Sequence, residues 1–193
     1  MQDPQKAGVP SEPPMKRLET ATLVLDPLAL ADYPWVIGLY GDAEVMRYIG
    51  NGSPRSEPES REKLDWLLEQ AGRLGFGFWV VRERASRQPV GGAMLMVRSP
   101  GSKVELGFVL ARAAWGRGIA TEVARALVDH AFETLGVPEL EAFTHPDNAA
   151  SGGVLRKAGM TDEGLATGPY GDVDRRYAIS REQWRSARPL SRG

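Results

Sequence analysis

The stretch Ala114-Trp115-Gly116-Arg117-Gly118-Ile119-Ala120-Thr121-Glu122 lies between a strand-like run, Val104-Glu105-Leu106-Gly107-Phe108-Val109-Leu110, and a helical pattern ending near Leu135. A glycine-rich turn from strand to helix strips side chains from the first helical turn, so several unpaired backbone N–H groups converge on one spot. With the helix dipole behind them, such groups suit a phosphate or pyrophosphate. The stretch predicts an anion seat for a phosphorylated cofactor. A dinucleotide fingerprint would need glycine or alanine at Thr121, and a P-loop would need Gly-Lys followed by Ser or Thr. Neither is present.

Outward from this loop, the helix starting at Gly118 puts Ala120, Val123, Ala124, Leu127, Ala131 and Leu135 on one stripe, with Gly136 as its C-cap. Upstream, residues 78–82, 90–97 and 103–110 read as three strands of an antiparallel meander. Ser56-Glu57-Pro58-Glu59 is a capping box opening an amphipathic helix that stops at Gly72 or Gly75. Before it come a strand at 20–25 and short helices at 30–40 and 43–49. Downstream come a strand at 140–144, a helix at 149–158 stopped by Gly159, strands at 160–166 and 173–179, and a polar tail with Trp184. Helices on a largely antiparallel sheet with no internal repeat give one α+β domain. Its expected bounds are 17–186, between a proline-rich flexible arm at 1–16 and a polar tail at 187–193.

Composition narrows the chemistry. Twenty-four basic and 25 acidic residues give a net charge of −1, so no basic field exists to hold a nucleic acid backbone. The chain has no cysteine, which excludes disulfides, thiolate nucleophiles and Cys-based zinc sites. With only His130 and His145, no His-rich metal centre is expected. No apolar run is long enough to span a bilayer and no secretory signal is visible, so the expected setting is the cytoplasm.

Two further blocks follow the glycine loop in order: His145-Pro146-Asp147-Asn148-Ala149-Ala150-Ser151, and Val154-Leu155-Arg156-Lys157-Ala158-Gly159-Met160. A fourth, Asp174-Arg175-Arg176-Tyr177-Ala178-Ile179, has the form of a closing strand. Together with the loop they resemble the GNAT superfamily of acetyl-CoA-dependent N-acetyltransferases. Gly118 and Ala120 match the last two positions of that family's phosphate loop, while Trp115 stands where Gln or Arg is usual. Trp-Gly-Arg-Gly-Ile-Ala-Thr-Glu, followed by the His-Pro and Val-Leu blocks, is similar to the branch of ribosomal-protein-alanine N-acetyltransferases. The resemblance covers residues 18–184, with the N-terminal half matching only in pattern.

That resemblance implies a single-domain GNAT-like fold, with acetyl-CoA as cosubstrate and a primary amine as acceptor. Backbone amides of Arg117, Gly118, Ile119, Ala120 and Thr121 would hold the pyrophosphate, with Trp115 and Gly116 completing the cofactor-binding loop; the Arg117 side chain would add its charge or stand as a solvated surface arginine. Phe108, Val109 and Leu110 would give backbone N–H groups to the acetyl carbonyl and pantetheine arm. Asn148 would bond the pantetheine, cap its own helix, or do both. Acetyl transfer also needs a proton acceptor for the amine and a proton donor for the departing thiolate. On the strand before the loop, alternation separates Val104, Leu106, Phe108 and Leu110 from Glu105, Gly107 and Val109. A carboxylate mid-sheet is costly unless it faces water or a partner. Glu105 is therefore the candidate general base through a water, against the alternative of a glutamate paired with arginine.

Many family members carry a tyrosine donor seven residues after the asparagine, but here that position is Leu155. Ser151, within the first turn after Asn148, is the candidate substitute; the alternative is a hydroxyl bonded to backbone. Gly152-Gly153 either weakens the helix or lets the cofactor approach its backbone closely. His145 reads as part of a structural turn and His130 as a surface or packing residue. Arg47, Tyr48 and Trp35 lie where substrate contacts are expected, though core packing also suits the aromatics.

The acceptor is expected to be a protein N-terminus or a small amine such as a polyamine, amino acid or antibiotic. A silent acyl-CoA-binding module is the rival from another class. The segments 40–54 and 167–172 are expected to set acceptor choice, and monomer and homodimer both remain open.

Overall fold

Period-two alternation in the central strands decides which helix covers which face. The protein's structure, a computed structural model, describes residues 15–74, 76–97 and 102–188. In chain order the elements are β1 (Leu18–Glu19), β2 (Leu23–Pro27), α1 (Tyr33–Tyr40), α2 (Ala43–Met46), α3 (Glu57–Leu74), β3 (Gly77–Glu83), β4 (Pro89–Val97), β5 (Val104–Leu110), α4 (Ile119–Glu133), β6 (Glu139–Thr144), α5 (Ala149–Lys157), β7 (Thr161–Thr167), β8 (Val173–Ser180) and α6 (Arg181–Ala187). They form one eight-stranded sheet in the order β1-β2-β3-β4-β5-β6-β8-β7. Every neighbouring pair is antiparallel except β5 and β6, which α4 connects as a crossover.

On β3, Trp79 and Val81 point to one core, while Phe78 and Val80 point to the other. The first core lies under α4, where Val123, Leu127 and Ala131 meet Leu25, Leu95, Leu106 and Leu140. The second lies under α1, α2 and α3, through Val36, Met46, Leu64 and Leu67. Burial on both faces explains why the middle strands read as nearly continuous apolar runs. The α+β architecture expected from the sequence is the one observed, with the helices flanking a mixed, mostly antiparallel sheet.

Several local expectations differ. The first strand starts at Leu23, not Thr20, because the Thr20 and Thr22 hydroxyls bond Glu122 of α4. The short strand β1 precedes it and was not foreseen; two residues are too few to show a period. The segment at 30–40 splits into a single tight turn, Leu30–Asp32, and α1, with Pro34 tolerated in its first turn. Helix α3 ends at Leu74, in agreement with the later of its two expected stops.

The largest difference is at the C-terminus, where part of the expected polar tail is α6. Ser180 Oγ accepts from Gln183 N at 3.1 Å, and Gln183 Oε1 accepts from Ser180 N at 2.7 Å, a complete capping box. Trp184 stacks on Phe132 with centroids 5.3 Å apart and donates Nε1–H to Asp129 at 2.8 Å. Seven residues hold too few turns for apolar periodicity to appear. The bulk of the expected arm, 1–14, and the end of the expected tail, 189–193, lie outside the described residues.

Candidate active site

The site begins where two strands part. β5 and β6 are in register only at Val104–Leu140 and Glu105–Glu141. Beyond them the strands diverge, so the β6-facing edge of residues 106–110 has no strand partner. Peptide groups at such a fork need hydrogen-bonding partners, and an extended ligand arm can supply them as an added strand would.

At the top of β5 a single tight turn, Arg112–Ala114, leads into the glycine loop. Gly116 and Gly118 adopt φ of +72° and +80°, a region closed to most other residues, and this lets the chain double back into α4. No side chain caps α4. Among the described residues, the N–H groups of 116–120 have no protein acceptor, while Thr121 N–H donates to Gly118 O at 3.1 Å. The amide cluster expected from Arg117 to Thr121 therefore lacks Thr121, and the Trp115 N–H is likewise taken, by Arg112 O at 3.1 Å. Trp115 is half exposed and fixes its ring by donating Nε1–H to Leu110 O at 2.9 Å. The Arg117 guanidinium pairs with Glu83 at 2.5 Å.

Below the fork is a cavity of about 580 Å³. Glu105, Phe108 and Val109 of β5 line it with Ser151 and Leu155 of α5. Arg47, Tyr48 and the 49–52 turn close one side; Tyr170, Asp172 and Asp174 close the other. Glu105 is 7% exposed, opposite Met96 on β4 and Glu141 on β6. Ser151 N–H donates to Asn148 Oδ1 at 3.1 Å, so Asn148 is the N-cap of α5. The Ser151 hydroxyl makes no hydrogen bond with protein among the described residues, which leaves it available to the cavity.

Charge in the cavity is uneven. Burial pushes the Asp174 carboxyl up from its ordinary value, nearby His145 opposes this, and the Asp172 and Glu105 carboxylates add to the rise. The next two residues of β8 are matched: Arg175 pairs with Asp162, and Arg176 with Glu139, Glu141 and Glu163. Asp174 has no lysine or arginine at ion-pair distance among the described residues. The cavity is suited to a cationic nitrogen.

Residues 22–161 match the family model described as an acetyltransferase (GNAT) domain. The chain belongs to the GNAT acetyltransferases. It is 34% identical to the FsC-acetyl coenzyme A-N(2)-transacetylase of Aspergillus fumigatus over 86% of this chain and 77% of that protein. The crystal structure of an acetyltransferase from Agrobacterium tumefaciens superposes with a TM-score of 0.74, covering 93% and 99% of the two chains at 27% identity. RimL, a ribosomal L7/L12 alpha-N-protein acetyltransferase solved with coenzyme A, shares the fold at TM-score 0.73 and 19% identity, over 86% and 98% of the chains. The protein is a GNAT enzyme that uses acetyl-CoA, and its open fork and uncapped glycine loop fit that cosubstrate.

For this GNAT domain, Glu105, Phe108, Val109 and Ser151 come together on one wall, while Leu110 and residues 115–121 lie beyond it at the loop. Trp35 does not reach the cavity and packs on the core under α1–α3. His145, read as a turn residue, accepts from Asp147 N–H and also lines the cavity, its ring 5.2 Å from that of Tyr48. His130 is buried against Trp79. Asp174 and Phe143 were missed, because only the placement of β8 and β6 at the fork turns them inward. Among the described residues no helix is long and apolar enough to cross a membrane.

Proposed function

We propose that the protein transfers the acetyl group of acetyl-CoA to the primary amine of a small molecule, in the cytoplasm, where acetyl-CoA is supplied. The observation that carries this is the lining of one cavity: Glu105, Asp174 and Ser151 face a space of about 580 Å³, the size of a small-molecule site. The acceptor enters as an ammonium ion drawn by Asp174 and Glu105. Glu105 takes its proton through a water, and the freed nitrogen attacks the acetyl carbonyl carbon. N–H groups on the β6-facing edge of 108–110 stabilise the charge that develops on the carbonyl oxygen. The C–S bond breaks as the Ser151 hydroxyl gives its proton to the leaving thiolate and regains one, through water, from the nitrogen of the collapsing intermediate, in the role that a tyrosine has in other branches. Amides of 116–120 hold the pyrophosphate, and Asn148 orients the start of α5 so that Ser151 faces the sulfur.

A small-molecule acceptor is also favoured by the Aspergillus fumigatus relative, whose name specifies transfer to an N(2) nitrogen. A peptide N-terminus is the second reading. It is favoured by a groove of about 660 Å³ that shares Ile49, Tyr170 and Asp172 with the cavity and runs out past Arg55 and Trp66. The test has two stages. Acetyl-CoA at about 100 times its Kd should raise Tm by roughly 5–10 °C, with NADH as the inert control. A panel of amino-acid amides, polyamines and a Ser-initiated peptide is then assayed for CoA release. Turnover confined to the peptide would overturn the small-molecule reading, and no turnover with any amine would overturn both.

A further inference from the structure

The glycine loop is exposed from Trp115 to Gly118, and its two αL glycines have no atom near the position a Cβ would take. Ala114 and Ile119 bury its ends. What reaches it comes from the far edge of the sheet. Glu122, in the first turn of α4, accepts from Thr20 Oγ1 at 2.5 Å, Thr22 N–H at 2.9 Å and Thr22 Oγ1 at 2.8 Å. Arg117, within the loop, donates to Glu83 at 2.5 Å. These anchors form one unit, because Arg84 N–H donates to Thr22 O at 2.8 Å and the Arg84 side chain bonds Thr20 O and Glu19.

We infer that the edge formed by β1, β2 and β3 holds the glycine loop from outside, through Thr20 and Thr22 on Glu122 and Glu83 on Arg117, and so sets affinity for acetyl-CoA. A carboxylate in the first turn of a helix can bend back onto the free amides there. Glu122 would then compete with the pyrophosphate for N–H groups that 116–120 present. Its three bonds to the threonines hold the carboxylate on the opposite side of the turn. Burial works against its ionisation, yet those bonds keep its carboxyl below the usual carboxylate range, so it stays a charged acceptor for them at neutral pH. The Glu83 contact acts on the other flank. It fixes Arg117 outward, making this arginine part of the scaffold of the loop and not a phosphate ligand. Thr20, Thr22 and Glu83 are positioning residues: none lies in the cavity with Glu105 and Ser151.

The test is calorimetric titration of CoA into the full chain carrying Thr20→Val with Thr22→Val, beside Thr20→Ser with Thr22→Ser. The valine pair should weaken CoA about fivefold or more, the scale of one lost hydrogen bond to a charged group. The serine pair keeps both hydroxyls and should stay within about twofold of the parent, on the same scale. KM for acetyl-CoA should rise with Kd while KM for the amine does not move, a split that general loosening of the fold would not produce. A folded valine variant with unchanged CoA affinity, or a serine variant as weak as the valine one, overturns the inference. Should the valine pair fail to fold, Glu83→Gln decides independently. Weaker CoA binding supports the anchor, and unchanged or tighter binding shows that the Glu83 contact does not position the loop.

Discussion

The Tyr177 hydroxyl occupies the space that a side chain at position 152 would need, and it accepts a hydrogen bond from Arg156 at 3.2 Å. The close approach that Gly152 permits is thus made by a buried ring of β8, while Gly153 faces open space. Gly152→Ala should gain about 1 kcal/mol of helix propensity and lose about 2–3 to the collision. A net loss of about 1–2 kcal/mol in urea unfolding is expected. In a Tyr177→Phe background the same change should be neutral or stabilising. Equal losses in both backgrounds would mean the hydroxyl is not the obstacle.

Glu105→Gln should lower kcat by about a hundredfold or more, and Ser151→Ala by about tenfold or more, the range for general acid–base groups. Both variants should keep the parent's thermal shift with acetyl-CoA, because neither side chain lies at the glycine loop. Initial rates at saturating substrates, paired with the melt, check this.

Asp174→Asn should act on the acceptor. Removing one carboxylate from the cavity should raise KM for the amine about tenfold, the scale of a charge-assisted hydrogen bond. Affinity for acetyl-CoA should not follow. A KM for the amine within twofold of the parent would mean that Asp174 does not meet the ammonium.

His130 makes stability pH-dependent. Burial, and then the charge of Lys16, holds its pKa below the ordinary value of 6.5, and its Nε2 is buried without a partner among the described residues. The unfolded chain therefore binds the proton more readily. Stability is full above about pH 7 and declines as pH falls through the unfolded pKa near 6.5, until the lower folded pKa is passed. Urea midpoints between pH 7.5 and 5.5 should drop for the parent, and drop less for His130→Leu.

Trp184→Ala should cost about 2 kcal/mol, through lost apolar contact with Phe132 and the lost bond to Asp129. Thermal melts check it. An unchanged Tm would mean α6 contributes nothing to the domain.

Much of the fold was legible because its signals are local. The capping box at Ser56 and Glu59, the stripe from Val123 to Ala131, and alternation in β5 each depend on neighbours a few residues apart. So does the loop, where Gly116 and Gly118 permit a turn that few other residues can make. Elements shorter than their own period were missed: β1 has two residues, and α6 disclosed itself only through Ser180 and Gln183. In the site, Glu105 and Ser151 were legible from type and position, since a carboxylate mid-strand and a hydroxyl at a helix start both demand an explanation.

The sequence by itself determined the α+β class and the glycine turn between β5 and α4, which follow from backbone preference and period along contiguous stretches. The resemblance of its motifs gave the acetyltransferase family. Only the tertiary structure decided that Asp174 joins Glu105 in one cavity, that Arg117 turns to Glu83, that Thr20 and Thr22 capture Glu122, and that Tyr177 accounts for Gly152. Each of those pairings spans from about 25 to about 100 residues of chain. The strand order and the parting of β5 from β6 make them, and pairing across a sheet leaves no periodic trace in the sequence of either partner.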